Sequence, residues 1–523
     1  MSGLLSRFGV LAACGLLALT AVVLVLLRPL MPVDETRYLT VAWEMWQGGS
    51  KFVPHLNGEL YSHKPPLLFW LINLVWSVTG INDLAARLVA PAFGVAAVAL
   101  TAVLSRRLWP DAPERAGFAA LILASTGLFA FYGSTTMFDT MMTVAVLLAM
   151  LALWSLRRTG SMAATAALGA ALALGVYAKG PVVLVHVMPA ALLMPLWAAR
   201  EGRIALTLWY GRVAMAVGVA LALVGLWLGP ALVLGGPEYR ADVLWRQSAG
   251  RMVTAFAHGR PWWFFIALMP LFLWPWGWSM AAMRALAPGR LFADEAGRLA
   301  GVWGLAALVA FSLISGKQAH YLVPELPVLA LLLSGMVAVP TVAAWRRMGV
   351  LLPPALLLIF LGAVALGLVP ADKLDGFQVP LWVMLPVIAL FALLVLMLLR
   401  LGAQVWVTAL LAPLTLLMLH VAVKPLLFEA YDPTRIGAIL APEQAKGIAI
   451  TDASYHGQFT YAGGLTTVLA LPGDVSALAA WVAAHPGGIV LSQQDQPALP
   501  LELIRNVRFH GKDYRIYRVR PAQ

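Results

Sequence analysis

The sequence predicts a mainly α, polytopic membrane protein with about thirteen transmembrane helices, helices lying on the outer surface and a small C-terminal α/β domain. Three observations predict it. Of 523 residues, 61% are AVILMFWYC and only 11% are Asp, Glu, Lys or Arg, and the mean hydropathy is +0.84. Apolar runs of about 20 residues, the length that a hydrocarbon core of about 30 Å requires, recur along the chain. About 100 residues at the end lack such runs. This balance excludes an ordinary soluble protein, a disordered chain, collagen and a coiled coil. The single cysteine, Cys14, excludes an intramolecular disulfide and a cysteine-based metal cluster.

The first run, Phe8–Leu30, has no small-residue cleavage site before Arg28–Pro29 and reads as an uncleaved helix. Twelve further runs can span: Leu84–Ser105, Gly117–Thr135, Phe138–Leu156, Met162–Ala178, Pro181–Ala198, Leu208–Leu234, Trp262–Met283, Leu299–Ser315, Tyr321–Val339, Val350–Val369, Val379–Leu399 and Val405–Val423. The membrane part is thus 1–423, with a surface-helix loop at 32–82 and an outer loop at 235–261. One apolar stretch, Pro66–Gly80, is left over, and a crossing there would invert every later loop.

The distribution of positive charge arbitrates. If Pro66–Gly80 lies along the surface, the loops holding Arg106, Arg107 and Arg115, then Arg157 and Arg158, Arg200 and Arg203, Arg284, Arg290 and Arg298, Arg346 and Arg347, and Arg400 all face the cytoplasm. The N-terminus is then cytoplasmic and the tail exported. The formal charge of +12 reads as this topology and not as nucleic-acid binding, because the basic residues are scattered among short loops. The tail, 424–523, has short apolar segments at Gly447–Thr451 and Gly488–Ser492, a helical pattern around Asp474–Ala484 and a closing Tyr514–Val519, the pattern of a small α/β domain. No internal repeat is present.

With thirteen spans, the unusual polar residues fall on the outer side. Asp34, Glu35, Thr36, Arg37 and Tyr38 follow the first span, and Tyr38, Val41, Ala42, Met45 and Trp46 have the spacing of an amphipathic surface helix. The same loop carries His55, Tyr61, His63 and Lys64. Asp139, Lys179 with Gly180, and Lys317, Gln318, His320 and Tyr321 stand at later outer turns, and the outer loop holds Arg246, Arg251, His258 and Arg260 among aromatic residues. Each alone is as readily a solvated turn or a headgroup contact as a site. Together they supply what group transfer from a lipid-linked phosphate needs: a carboxylate to take a proton and cations to hold the leaving phosphate. Asp34 is the first candidate base; Lys64, Lys179 and Lys317, with Arg37, are the phosphate candidates. No Walker loop, His-Glu-x-x-His or nucleotide-binding glycine fingerprint is present.

The segments Asp34-Glu35-Thr36-Arg37-Tyr38, Tyr61-Ser62-His63-Lys64-Pro65-Pro66, Asp139-Thr140, Ala178-Lys179-Gly180, His258-Gly259-Arg260-Pro261-Trp262-Trp263-Phe264 and Gly316-Lys317-Gln318-Ala319-His320-Tyr321-Leu322-Val323-Pro324 resemble, in this order, the polyprenyl-phosphate-sugar glycosyltransferases of the protein mannosyltransferase superfamily. Within it the chain is most similar to bacterial lipid A aminoarabinose transferases. The resemblance implies the GT-C fold and an inverting transferase on the periplasmic face of the inner membrane. It would move 4-amino-4-deoxy-L-arabinose from undecaprenyl phosphate to lipid A, a modification tied to polymyxin resistance. It implies Asp34 and Glu35 as catalytic carboxylates and Lys64, Arg37, Lys179 and Lys317 as donor-phosphate contacts. Tyr61, His63, Asp139, Arg251, His258, His320 and Tyr321 would line the cavity.

Two positions depart from the pattern: His63-Lys64-Pro65 stands where the family typically has Glu-Lys-Pro, and Lys317-Gln318-Ala319 where it has Lys-Leu-Pro. The first removes an acid, and leaves His63 with nearby carboxylates as the one place for a divalent metal ion. A transferase acting on another envelope glycan or on protein fits the same residues. From a different class, a multi-pass lipid or solute transporter also fits many spans and a cationic outer cavity. A transporter, however, places ionisable residues near the bilayer midplane on broken helices, whereas these cluster at span ends.

Overall fold

A computed structural model describes residues 2–199, 204–245, 259–338, 349–369, 378–401, 405–452, 455–471, 473–496 and 498–521. Among these residues nine helices are long and apolar enough to cross a membrane, and each falls on one of the thirteen expected runs. The other four runs are built from shorter pieces. Residues 117–135 split at Thr126, where the ring of Trp274 lies so close to Gly127 that a Cβ there would come within 2.8 Å of it. Residues 181–198 split at Leu193, just past Pro189. Residues 262–283 contain Pro270 and Pro275, and 350–369 yield a helix of 14 residues, Leu352–Ala365. Proline removes a helical donor and crowds the preceding turn, so apolar length alone overstates helix continuity.

The helices that position the site are α1 (Ser2–Leu26), α2 (Asp34–Trp46), α3 (Leu67–Thr79), α4 (Asp83–Leu108), α5 (Glu114–Ser125), α6 (Gly127–Tyr132), α7 (Asp139–Thr159), α8 (Met162–Lys179), α9 (Val183–Leu192), α10 (Met194–Trp197) and α11 (Leu206–Leu234). Their ends follow local chemistry. Asp139 stands in the first turn of α7, Arg157 and Arg158 in its last, and Gly160 closes it with φ +61°, each charge complementing the helix dipole. The Asn82 side chain accepts from Ala85 N–H at 2.8 Å to start α4, and Ser161 caps α8 in the same way. α7 is the central helix, 83% buried over its spanning window against 22% for the peripheral α11.

α3 has 13 residues, about 20 Å of helix, too short for a core of about 30 Å. It buries Leu68, Phe69, Ile72 and Trp76 and packs against α2 and α4, while Leu74 and Val78 remain exposed. The leftover apolar stretch is therefore not a span. α2 differs from the expected one-sided helix: Glu35, Thr36, Tyr38, Leu39, Thr40, Val41, Ala42, Trp43 and Met45 are all buried, because the tail covers the face that α3 does not. Thr40 Oγ1 donates to the Gly457 carbonyl at 2.7 Å, Trp43 Nε1 to the Leu465 carbonyl at 2.8 Å, and Trp76 of α3 stacks on Tyr461 at 5.5 Å.

The tail is a five-stranded sheet of β3 (Ile448–Ile450), β4 (Leu469–Ala470), β5 (Ile489–Ser492), β6 (Leu501–Phe509) and β7 (Lys512–Val519), numbered after a small hairpin of β1 (His55–Leu56) and β2 (Glu59–Leu60) in the 32–82 loop. Its order is β4-β3-β5-β7-β6, parallel between β3 and its neighbours and antiparallel beyond β5. Alternation along β3 sends Ile448 and Ile450 to a core with Ile436, Phe459 and Tyr514, and Ala449 to the opposite core under helix Val475–Ala484. The expected boundary at 423/424 shifts: Val405–Ala430 is one helix carried through Pro413 and Pro425, so the tail begins past Ala430.

Candidate active site

The first turn of α2 separates two carboxylates. Consecutive helical residues point about 100° apart, so Asp34 and Glu35 face different surroundings. Glu35 is 4% exposed. Arg28 grips it with two hydrogen bonds, 2.5 and 2.8 Å, and also donates to the Ser134 carbonyl. Arg87 stands 3.6 Å from the same carboxylate and donates to the Arg28 and Pro29 carbonyls. Thr136 donates through both N–H and Oγ1, and Met31 through its N–H. Burial opposes ionisation, but the Arg28 and Arg87 charges and these hydrogen bonds outweigh it and hold the Glu35 carboxyl down at about 2. A carboxylate so enclosed ties α1, α2, α4 and the turn before α7 together and is not placed to take a proton from a substrate. Glu35, expected as a catalytic carboxylate, is thus placed in a saturated, buried cage.

The Asp34 side chain is half exposed. Tyr38 OH donates to its Oδ1 at 3.0 Å and Arg37 Nη2 at 3.2 Å. Burial and the Asp34 charge push the Tyr38 phenol well above its ordinary range, so it stays a donor. The Tyr38 ring meets Phe138 edge-on at 4.8 Å, and Lys64 Nζ lies 5.5 Å from the centre of the same Phe138 ring. Tyr61 packs against Phe69 and the His63 ring. Asp139, one residue after Phe138, is 1% exposed and pairs with Lys179 at 2.6 Å, its Oδ2 having no hydrogen-bond partner among the described residues. Lys179 Nζ is 5.3 Å from the Tyr321 ring, and the His320 ring contacts Tyr132 and Tyr321. Asp34, Lys64, Asp139 and Lys179 all lie within electrostatic reach of His320.

The fold thus brings Asp34, Arg37, Lys64, Asp139, Lys179, His320 and Tyr321 to one end of the helices, with Tyr61 and His63 beside them. Three cations face two carboxylates there. Lys317 has a different partner. Only 3% exposed, it donates to the Arg260 carbonyl at 3.0 Å, next to a backbone bridge between Gly259 and Gly316, and so fastens the outer loop. Arg251 and His258 lie outside the described residues. Among the described residues no three His, Cys, Asp or Glu side chains converge to hold a metal ion.

Sequence reasoning missed two groups. Arg87 sits within a span and Arg28 at a span end, and a lone guanidinium in an apolar run signals a buried carboxylate. His186 of α9 and Glu325 form a buried pair at 2.6 Å, with His186 against Phe311. This pair ties the helix following Lys179 to the turn following Lys317.

Residues 63–227 match the family model described as dolichyl-phosphate-mannose-protein mannosyltransferase. The chain is 31% identical over 313 residues to undecaprenyl phosphate-alpha-4-amino-4-deoxy-L-arabinose arabinosyl transferase 2 of Pseudomonas fluorescens, covering 57% of this chain and 51% of that one. It is 33% identical over 309 residues to the Pseudomonas paraeruginosa enzyme of the same name, covering 57% and 54%. The chain spans about half the length of the curated relatives it matches. Its structure superposes on the crystal structure of ArnT from Cupriavidus metallidurans bound to undecaprenyl phosphate with a TM-score of 0.76, covering 98% of this chain and 99% of that one at 16% identity. The fold is therefore that of ArnT, and the resemblance carried by the ordered motifs is the one these comparisons return.

Proposed function

We propose that the chain is an inverting glycosyltransferase that moves a sugar, 4-amino-4-deoxy-L-arabinose, from undecaprenyl phosphate to lipid A. The observation that carries this reading is the half-exposed Asp34 carboxylate beside the Lys64–Asp139–Lys179 cluster. Asp34 takes the proton of the acceptor O–H as the acceptor oxygen bonds to the anomeric carbon, and the bond from that carbon to the donor phosphate oxygen breaks. Lys64 and Lys179, with Arg37, hold the phosphate as its negative charge grows. Asp139 fixes the Lys179 ammonium through its Oδ1. The related chains named as arabinosyl transferases support the sugar, and the positive charge in the opposite loops supports a periplasmic site with a cytoplasmic N-terminus in the inner membrane.

The test is the mass spectrum of lipid A from cells lacking the protein, complemented with wild type or with Asp34→Asn. Wild type is expected to restore a sugar-bearing lipid A and Asp34→Asn to leave it unmodified at equal protein abundance. Identical lipid A in all three strains would refute the acceptor and point to another envelope glycan.

A further inference from the structure

His186 and Glu325, 139 positions apart in the chain, meet with their side chains buried. His186 is 3% exposed and Glu325 7%. His186 Nδ1 lies 2.6 Å from Glu325 Oε1, while Glu325 Oε2 has no hydrogen-bond partner among the described residues. Glu35 is the opposite case, with both of its oxygens held by Arg28. Removing two ionisable groups from water is costly, and a pair that leaves an oxygen unbonded recovers little of that cost as stability. What such a pair supplies is direction, since a buried hydrogen bond is strong and holds its two partners in one geometry.

Both partners stand on short arms that begin at the cavity. Lys179 ends α8, Gly180 turns the chain at φ +86°, and α9 starts at Val183, which places His186 seven residues past Lys179. The corner is tight, because a Cβ on Gly175 would come within 2.3 Å of the Val183 side chain. Glu325 closes the 3₁₀-helix Ala319–Glu325, four residues past Tyr321. At the cavity the two arms meet again, with Lys179 Nζ 5.3 Å from the centre of the Tyr321 ring. Phe311, on helix Glu295–Leu313, touches both arms, its ring 4.8 Å from that of His186 and 6.2 Å from that of Tyr321. The two chain segments and the two contacts between them form a closed frame, and Lys179 is one of its corners.

We propose that His186 and Glu325 are positioning residues for the transfer, setting the Lys179 ammonium against Tyr321 at the place from which it holds the donor phosphate. This rests on the transferase reading given above. The pair touches neither substrate, so its effect passes through Lys179 and falls on the donor. The full chain in nanodiscs is assayed with undecaprenyl-phosphate sugar and lipid A, varying each in turn. The proteins compared are wild type, His186→Asn, the apolar replacement His186→Leu with Glu325→Met, and that replacement in a Lys179→Ala background, each with its melting temperature.

The apolar replacement removes both ionisable groups together, so the melting temperature is expected to stay at or above that of wild type. Misplacing a group that stabilises the leaving phosphate is expected to lower kcat/KM for the donor about tenfold to a hundredfold, with acceptor KM unchanged. His186→Asn, whose amide nitrogen takes the place of Nδ1, is expected to recover most of that loss. In the Lys179→Ala background the same replacement is expected to cost less than about threefold, because the group it positions is gone. An unchanged donor kcat/KM overturns the proposal, as does an equal loss in both backgrounds. A fall in melting temperature that accounts for the lost activity makes the pair a structural tie and overturns it too. A wild-type enzyme that transfers no sugar from this donor refutes the underlying reading instead.

Discussion

The two sides of the first turn of α2 are built by opposite rules from adjacent acidic residues. On the Glu35 side every carboxylate oxygen is saturated by Arg28, Thr136 and Met31, with Arg87 behind them. On the Asp34 side one oxygen is held by Tyr38 and Arg37, and half the side chain remains exposed. A saturated buried charge stabilises and positions but has no lone pair for a substrate; a half-exposed one keeps that capacity and gives less stability. The difference means that activity and stability should separate between two neighbouring residues, which mutation can break or sharpen.

The largest separation is expected from Asp34→Asn. Removing a general base should lower kcat by about a hundredfold to ten-thousandfold, with little change in melting temperature. A variant at wild-type rate would remove Asp34 from the base role and abolish the contrast. Glu35→Gln should do the reverse: it leaves Arg28 and Arg87 buried without their counter-charge, and breaking such a pair costs about 3–5 kcal/mol. The readout is unfolding in detergent alongside kcat per folded molecule, and a stable but inactive Glu35→Gln protein would return Glu35 to the reacting groups.

Acid sharpens the same contrast. Because the folded Glu35 carboxyl is depressed to about 2 from an ordinary 4.5, its contribution is fully present above about pH 4.5 and is lost as pH falls toward 2. Wild type should lose stability across that window, and Glu35→Gln should lose less. Equal acid sensitivity in the two proteins would mean that Glu35 is not the group being titrated.

The legibility of these two regions in the sequence was unequal. Spans with charged ends, such as Asp139 and Arg157–Arg158 on α7, follow from hydropathy and dipole chemistry that act within a few residues. The grouping of Asp139 with Lys179 was approachable because both stand at span ends on one side. The Glu35 pairing was not, since Arg87 is 52 positions away and a guanidinium within an apolar run signals a buried carboxylate without saying which one. Helix breaks at Thr126 and Leu193 were hidden for a related reason: a packed Trp274 ring or an internal Pro189 alters continuity without altering hydropathy. The burial of α2 on both sides depends on a segment 417 residues away in sequence, and a helix read alone shows only its own stripe.

That long-range contact gives the next smaller effects. Gly457→Ala places a methyl group against Thr40 at a backbone φ that side chains disfavour, and overpacking of this kind costs about 1–3 kcal/mol. Tail docking, followed by hydrogen exchange of the Gly463–Leu465 amides, should weaken before the membrane helices do. A uniform loss of protection throughout the chain would mean that tail and helices unfold as one unit and that α2 is not separately clamped.

Thr40→Ala is the mildest test, because it removes one hydroxyl and adds no bulk. Thr40 Oγ1 serves two backbone groups, donating to the Gly457 carbonyl at 2.7 Å and accepting from Tyr461 N–H at 3.3 Å. Both lie under the tail, so their loss should cost about 1–2 kcal/mol, more than a solvent-exposed hydroxyl would. The Trp43–Leu465 bond and the Trp76–Tyr461 stack remain in the variant, and the tail should stay docked with a raised local opening rate. If exchange of the Tyr461 amide is unchanged, that hydrogen bond is not what holds the segment, and the aromatic stack of Tyr461 on Trp76 carries the clamp by itself.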